Sequence, residues 1–373
     1  MAGLLDSLKG ALSQRGSDAS VLGIDIGSSS IKIVQLRRTK GRAVLETYGE
    51  LALGPYADID IGRATNLSAE SLAEALSDVM REANTTTKKA GASIPFSSSL
   101  LSVIEMPKVS DKQLAKMIPI EARKYIPVPV SEVVLDWFII PEEEVSALEA
   151  GSRPKQAQQK VQVLLLAIHN ETLNKYQRIL QAAEADVSFF EIEIFSTVRA
   201  ALGQGIAPVM VIDMGAATTK VYLVEHGIVR LSHIINKGSQ DITLSLSQSL
   251  SLSVSKAEEL KRSVGLLGTG DSKSISEAAL FTLEYIFSDA NRVLLNYQKK
   301  YNKAVSKIVL SGGGAALAGI LEYAEKSLQA DVELANPFGK LETPAFLENV
   351  LKDAGPTFST ATGLALRKLQ EPG

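Results

Sequence analysis

Two stretches of the chain end an apolar strand in an aspartate, a glycine and a run of small residues, a combination suited to holding phosphate and a divalent cation. They are Val21-Leu22-Gly23-Ile24-Asp25-Ile26-Gly27-Ser28-Ser29 and Val209-Met210-Val211-Ile212-Asp213-Met214-Gly215-Ala216-Ala217. Small residues let the backbone N–H groups of a turn close around phosphate oxygens, and an aspartate at the strand end can hold a metal through water. The first stretch continues Ser30-Ile31-Lys32, where period-two alternation puts the Ser30 hydroxyl and the Lys32 ammonium on one strand face. The second continues Thr218-Thr219-Lys220, again with hydroxyls. A lone Asp-x-Gly marks many ordinary turns, whereas two copies in matching strand contexts, a domain length apart, point to a duplicated unit. Facing each other across a cleft, they would grip a polyphosphate from both sides.

Two further pieces fit such a cradle. Ile308-Val309-Leu310-Ser311 is an apolar strand that breaks into Gly312-Gly313-Gly314 before a helix expected over Leu317–Ala330, and a glycine loop at a helix start admits a phosphate or a flat ring. Glu258 and Lys261 lie three apart on one face of another expected helix, a spacing that by itself describes a solvated charge pair.

These residues need elements to position them. Val21–Ile26, Ser30–Arg37 and Arg42–Leu51 read as a three-stranded meander, with Arg38-Thr39-Lys40-Gly41 at the second turn and a helix at Ala69–Ala83. Pro208–Asp213, Thr218–Val224 and Gly227–Ile235 repeat that order, turning tightly at Glu225-His226-Gly227. Between the copies, strands are expected at Ala92–Glu105, Val133–Ile140 and Val161–Ile168. Helices are expected at Asp111–Lys124 and Thr172–Ala185, and a polar exposed loop over Glu142–Lys160. Leu4, Leu5, Leu8, Ala11 and Leu12 predict a short amphipathic helix tethered by a polar link. The organisation is therefore 1–20 as an N-terminal segment and linker, and 21–87 with 169–206 and 346–373 as a first domain. An inserted subdomain takes 88–168, and a second domain 207–345.

Composition removes several function classes. At 373 residues, with 45% apolar and 22% charged residues, the chain has the makings of globular domains with real cores. A formal charge of −3 with dispersed basic residues gives no field for a nucleic-acid backbone. With no cysteine there is no disulfide or thiol chemistry, and the three histidines are not spaced as zinc ligands. No P-loop and no serine elbow appears, and no apolar run approaches the ~20 residues of a membrane-spanning helix.

The order Asp25-x-Gly27-Ser28 with Lys32, Asp213-x-Gly215 with Thr219, Glu258-x-x-Lys261, and Gly312-Gly313-Gly314 resembles the actin, heat-shock chaperone and sugar-kinase superfamily. The resemblance implies an α/β fold of the actin-like, duplicated ribonuclease H-like kind: two domains around a nucleotide cleft, with a small α/β subdomain inserted in the first. It implies ATP and Mg²⁺ as cofactors. Gly27, Ser28, Ser29, Ser30 and Lys32 with Gly215, Ala216, Thr218 and Thr219 would clasp the phosphates, and Asp25 and Asp213 would hold Mg²⁺ through water. Glu258 and Lys261 would flank ribose and adenine, with Gly238, Gly312, Gly313 and Gly314 completing the nucleotide site.

Within that superfamily the chain resembles the PilM family of type IV pilus assembly proteins. The resemblance rests on Gly23 through Lys32, Met106-Pro107, Glu121-Ala122-Arg123-Lys124-Tyr125-Ile126-Pro127, Asn336-Pro337-Phe338 and Thr362-Gly363-Leu364-Ala365-Leu366. It departs at Glu191-Ile192-Glu193-Ile194-Phe195, where the family has an aspartate first, and at Gly238-Ser239, where two glycines are common. The implied function is a cytoplasmic ATP-binding component at the inner face of the inner membrane. It would bind the N-terminal cytoplasmic tail of a PilN-like bitopic membrane protein, other pilus machine components, and in a homo-oligomer its own copies. Ile104, Met106, Ile118, Ile126 and Val128 are candidates to line the tail groove. Glu193, with Glu191 behind it, is the candidate to position a water for slow ATP hydrolysis. The alternatives are an FtsA-like membrane-associated cytoskeletal protein, set lower because the chain ends soon after its last domain helix, and a kinase of the same superfamily, for which no acceptor site is evident.

Overall fold

The computed structural model describes residues 20–141, 160–203 and 205–370. The expected amphipathic helix and nearly all of the Glu142–Lys160 loop lie outside the described residues. In chain order the elements begin β1 (Ser20–Ile26), β2 (Ser30–Thr39), β3 (Arg42–Ala52), α1 (Ala69–Glu82), β4 (Lys89–Ile94), β5 (Ser99–Pro107), α2 (Asp111–Ala122), β6 (Val133–Ile139) and β7 (Lys160–His169). There follow α3 (Asn170–Ala182), β8 (Asp186–Ile192), α4 (Glu193–Ala201), β9 (Val209–Met214), β10 (Thr219–Glu225) and β11 (Ile228–Ile235). The chain then forms α5 (Ser239–Leu250), α6 (Val254–Ser263), α7 (Lys273–Tyr301), β12 (Lys307–Ser311), α8 (Ile320–Leu328), β13 (Val332–Leu334), α9 (Glu348–Ala354) and α10 (Ser359–Gln370).

Each Asp-x-Gly hairpin seeds a five-stranded sheet of the same design. The first has the order β3-β2-β1-β4-β8 and the second β11-β10-β9-β12-β13. In each, three antiparallel strands are followed by two that run parallel to the Asp-bearing strand. The outer hairpins match in detail too: Lys40-Gly41 has φ of 50° and 82°, and His226-Gly227 has 53° and 75°. Two successive positive φ values are what a two-residue type I′ turn demands, and glycine at the second place supplies one without strain.

Several expectations are corrected. Ala92–Glu105, read as a single strand, is two strands in two different sheets, β4 in the first five-stranded sheet and β5 in a three-stranded one of order β5-β7-β6. Pro95 and the tight turn Phe96–Ser98 separate them. The break is marked by the missing N–H of Pro95 and by the serines Ser97, Ser98 and Ser99 that follow Phe96. Residues 89–94, within the range read as inserted, thus pair in the first sheet. The expected helix at Leu317–Ala330 is trimmed to α8, because the glycines first form a tight turn at Gly313–Ala316. The long α7 has no counterpart among the sequence expectations.

Packing follows from the apolar faces. α1 and α3 bury Leu72, Leu76, Val79, Ile179 and Leu180 against one face of the first sheet. α10 covers the other, setting Ala361, Ala365 and Leu369 against Val21, Val34 and Leu36. α5 and α7 cover the second sheet. In the three-stranded unit, Ile104, Met106, Ile118 and Ile126 pack with Val163 and Leu165 as a core of their own, and Val128 packs against it. The proposed tail-groove set is therefore corrected: the first four are at most 7% exposed and serve as core. Among its described residues, the large apolar side chains this unit exposes are Ile120, Tyr125, Val134 and Phe138.

Candidate functional site

Strands β1, β9 and β12 end at a shared cavity of about 550 Å³ whose wall is drawn from both halves of the molecule. That volume suits a small-molecule ligand. The two Asp-x-Gly turns are built alike. The Gly27 N–H donates to the Ser30 carbonyl and the Gly215 N–H to the Thr218 carbonyl, both at 3.0 Å. A Cβ added at Gly27 or Gly215 would lie 3.0 or 2.9 Å from those same carbonyl oxygens. The turns close this tightly only with glycine in place.

The triple glycine has divided duties. Gly312 has a φ of 83°, and a Cβ there would lie 2.4 Å from Asp213 Oδ1; one on Gly314 would lie 2.7 Å from Met214 Cβ. Those two let β12 lie against the end of β9. A Cβ on Gly313 would meet nothing within 4 Å, so the middle glycine faces the open space of the cavity.

Glu258 of α6 accepts from Thr243 Oγ1 at 2.6 Å and pairs with Lys261 and Arg262, each at 2.7 Å. Burial works against its charge, but Lys261 and these hydrogen bonds hold it below the usual carboxylate range. Gly62, in the connection between β3 and α1 and with a φ of 90°, crosses from the first half so closely that a Cβ there would come 2.6 Å from the Glu258 carboxyl carbon. Nearby, the Ala64 N–H donates to Gln240 Oε1 at 2.9 Å. This connection closes one side of the cavity. Replacing Gly62 with valine is expected to strain the backbone and push the connection off Glu258, whose three partners leave it little freedom to move. The expected result is binding of a fluorescent ATP analogue weakened about tenfold; unchanged affinity would show that the close approach is incidental.

The lining contains five basic side chains, Lys32, Lys175, Lys220, Lys261 and Arg262, and five acidic ones, Asp25, Glu50, Glu193, Asp213 and Glu258. A polyphosphate therefore enters no net positive field and needs a cation with it. Among the described residues no group of three or more His, Cys, Asp and Glu side chains could hold a metal ion. A cavity of this kind fits a Mg²⁺ carried in on phosphate oxygens and completed through water, as is usual for that ion.

The comparisons agree with this geometry. The family model described as type IV pilus assembly protein PilM matches residues 23–369. The chain belongs to the PilM family. The cell division protein FtsA of Streptococcus pneumoniae is 23% identical over 363 residues, covering 87% of this chain and 77% of that protein. Among solved structures, a PilM–PilN type IV pilus biogenesis complex matches with a TM-score of 0.77 and 24% identity, over 95% of this chain and all of the matched one. MreB 5 of Spiroplasma citri bound to AMPPNP matches with a TM-score of 0.52 and 11% identity, over 93% of this chain and 95% of that one. The fold is the actin-like one, with two sheets about a cleft.

Within this PilM-family fold, most of the residues singled out in the sequence meet at the cavity: Asp25, Gly27, Ser28, Ser29, Ser30, Lys32, Glu193, Asp213, Gly215, Ala216, Thr218, Glu258, Lys261, Gly312, Gly313 and Gly314. Thr219 and Gly238 are not in its wall. Alternation along β10 turns Thr219 away from the cavity face shared by Thr218 and Lys220, and its hydroxyl donates to the Lys237 carbonyl at 2.9 Å. Gly238 sits behind the second turn, where a Cβ would come 2.3 Å from the Ala216 carbonyl oxygen. Glu191 also lies elsewhere: Arg199 and Arg367 each bind it at 2.7 Å, tying β8 to α4 and α10. Burial opposes its charge, yet the two guanidiniums hold its pKa below the usual value.

Glu193 has both oxygens engaged. The Phe96 N–H donates to Oε1 and Lys220 Nζ to Oε2, each at 2.7 Å. Lys220 is one of the site residues to which sequence reasoning gave no role, along with Glu50, Ser93, Lys175 and Arg262. The signal was present, since Lys220 follows Asp213 by the same interval at which Lys32 follows Asp25. The register makes both direct cross-strand pairs, Asp25 opposite Lys32 and Asp213 opposite Lys220.

Proposed function

We propose that this chain is an ATP-binding, actin-like component of the type IV pilus assembly platform that captures the N-terminal cytoplasmic tail of a PilN-like inner-membrane protein. The observation that carries the reading is the pair of matched Asp-x-Gly hairpins facing one cavity from two duplicated sheets, in a chain of the PilM family. ATP with Mg²⁺ occupies that cavity in this reading. The phosphates lie between the Gly27–Ser30 and Gly215–Thr218 turns, and the nucleoside lies toward Glu258, Lys261 and Gly313. No helix among the described residues is long and apolar enough to cross a membrane. In the proposed reading the chain works in the cytoplasm, held at the inner face of the membrane through its partner.

The three-stranded unit is the proposed receptor for the tail. Within that sheet β6 is an outer strand, and Val134 and Phe138 project from one of its faces at 49% and 38% exposure. An extended tail laid along this edge gains backbone hydrogen bonds, with apolar pockets for alternate side chains, which offsets the entropy of ordering it. The unit is joined to the cleft at its root, because the Phe96 N–H at the start of the turn into β5 is held by Glu193. Nucleotide that displaces Glu193 thereby acts on the receptor, giving a two-state cleft.

Fluorescence anisotropy of a labelled N-terminal PilN-type peptide, run with Mg-ATP, Mg-ADP and no nucleotide, tests this reading. Saturable binding is expected, weakened about tenfold or more by Phe138→Asp, since a carboxylate would be desolvated against the tail. No binding in any nucleotide state would remove the tail from the proposal. Equal affinity in all three would remove the coupling.

A further inference from the structure

The two halves of the cavity are twins in sequence but not in charge. Asp25 and Asp213 occupy equivalent strand ends, each directly opposite a lysine on the next strand. In the first half the lysine turns away: Lys32 Nζ donates to Ser30 Oγ at 2.7 Å and pairs with Glu50 at 3.4 Å. Asp25 is left with one partner, the Ser93 hydroxyl, which donates to its Oδ1 at 2.7 Å. In the second half the lysine turns in. Lys220 Nζ lies 3.3 Å from Asp213 Oδ2 and 2.7 Å from Glu193 Oε2, with all three side chains close to 10% exposed.

Glu258 is likewise bound by Lys261 and Arg262, and Glu50 by Lys32. Among the acidic side chains of the cavity wall, Asp25 alone has no cation within ion-pair distance; Lys220 feels its charge only from farther off.

We infer that the two aspartates have different cargoes: Asp25 is the carboxylate that receives the divalent cation, while Lys220 is a resident counter-ion that fills the corresponding place at Asp213. Two positive charges compete for one carboxylate. A cation approaching Asp213 must displace an ammonium already desolvated and held by two carboxylates, whereas at Asp25 it displaces only a hydroxyl and water. Lys220 then presents its ammonium to the polyphosphate from the second half, as the metal ion does from the first. Engaged once on each oxygen, Glu193 holds Lys220 and the Phe96 turn in position. Lys220 is on this account a phosphate-facing cation and Glu193 a positioning residue.

This inference rests on the nucleotide reading above, and its test separates the two. The dissociation constant of a fluorescent ATP analogue is measured with Mg²⁺ and with EDTA, and the ratio of the two values reports how much the metal contributes. Asp25→Asn is expected to bring that ratio close to one. Asp213→Asn is expected to leave it within about twofold of the parent value. Lys220→Met should weaken binding in EDTA more than in Mg²⁺, raising the ratio about tenfold, because metal must now supply the lost charge and Asp213 is free to receive it. Lys220→Arg should restore the parent ratio.

Lys220→Met leaves two buried carboxylates unpaired, so a Lys220→Met/Glu193→Gln double substitution provides a variant with less buried charge if the single one does not fold. Equal loss of metal dependence in Asp25→Asn and Asp213→Asn would overturn the asymmetry. A ratio unchanged in both lysine-to-methionine variants would do the same. Parent protein that binds no nucleotide under either condition would instead overturn the nucleotide reading itself.

Discussion

Replacing Asp25 with alanine is expected to lower the affinity for Mg-nucleotide about 100-fold, or roughly 2.7 kcal/mol, while leaving the fold intact. The side chain lies in the cavity wall at the end of β1, and its hydrogen-bond partner is the Ser93 hydroxyl. Ser93 also lines the cavity, so water can take over that bond when the carboxylate is gone. On the proposed nucleotide reading, what is lost is the negative charge that would receive a divalent cation beside the phosphates, and no neighbouring carboxylate can replace it without breaking an ion pair. Titration calorimetry in Mg²⁺ gives the affinity, and a thermal melt without nucleotide gives the stability. Affinity retained within about threefold of the parent would remove Asp25 from the site.

The largest effect on folding is expected from Gly363→Ala in α10. A Cβ at Gly363 would lie 1.9 Å from the Ser196 carbonyl oxygen of α4, and one at Gly23 of β1 would lie 1.9 Å from the Ala361 carbonyl oxygen of α10. The C-terminal helix is thus seated backbone to backbone between a strand and a helix. The obstructing atoms are main chain, so no rotamer change relieves them and whole elements must move apart. Overpacking usually costs about 1–3 kcal/mol, and a clash between fixed backbones belongs at or above the top of that range. Gly313→Ala is the matched control, because a Cβ there meets nothing within 4 Å and the residue does not have a positive φ. Thermal melts of the two variants should differ clearly. A Gly363→Ala protein as stable as Gly313→Ala would mean that α10 does not dock as described.

How much was legible in the sequence depended on whether the signal was local. The paired hairpins were readable because strand, turn and strand are adjacent in the chain, and alternation with glycine at a positive φ leaves few other solutions. The duplication was readable because Asp25-x-Gly27 and Asp213-x-Gly215 repeat in the same strand context. Pro95 and the serines after it marked a break locally, but which sheet each flanking strand joins depends on partners far away: Lys89–Ile94 pairs with β1 and β8, and Ser99–Pro107 with β7.

Gly23 and Gly363 could be quoted as parts of motifs, but the reason for each appeared only when α10 was set between β1 and α4. Ile104, Met106, Ile118 and Ile126 had the right chemistry for a groove, and the helix packed across their sheet made them core instead.

By itself the sequence determined the chemistry of the cleft: which side chains could meet a phosphate or a cation, and that two copies of the device exist. Only the tertiary structure decided how the copies differ. Lys32 and Lys220 stand at equivalent places in their hairpins, yet Glu50 draws one away from its aspartate and Glu193 holds the other beside it. Those carboxylates come from β3 and from the start of α4, and charge interactions fall off with distance in space, not along the chain.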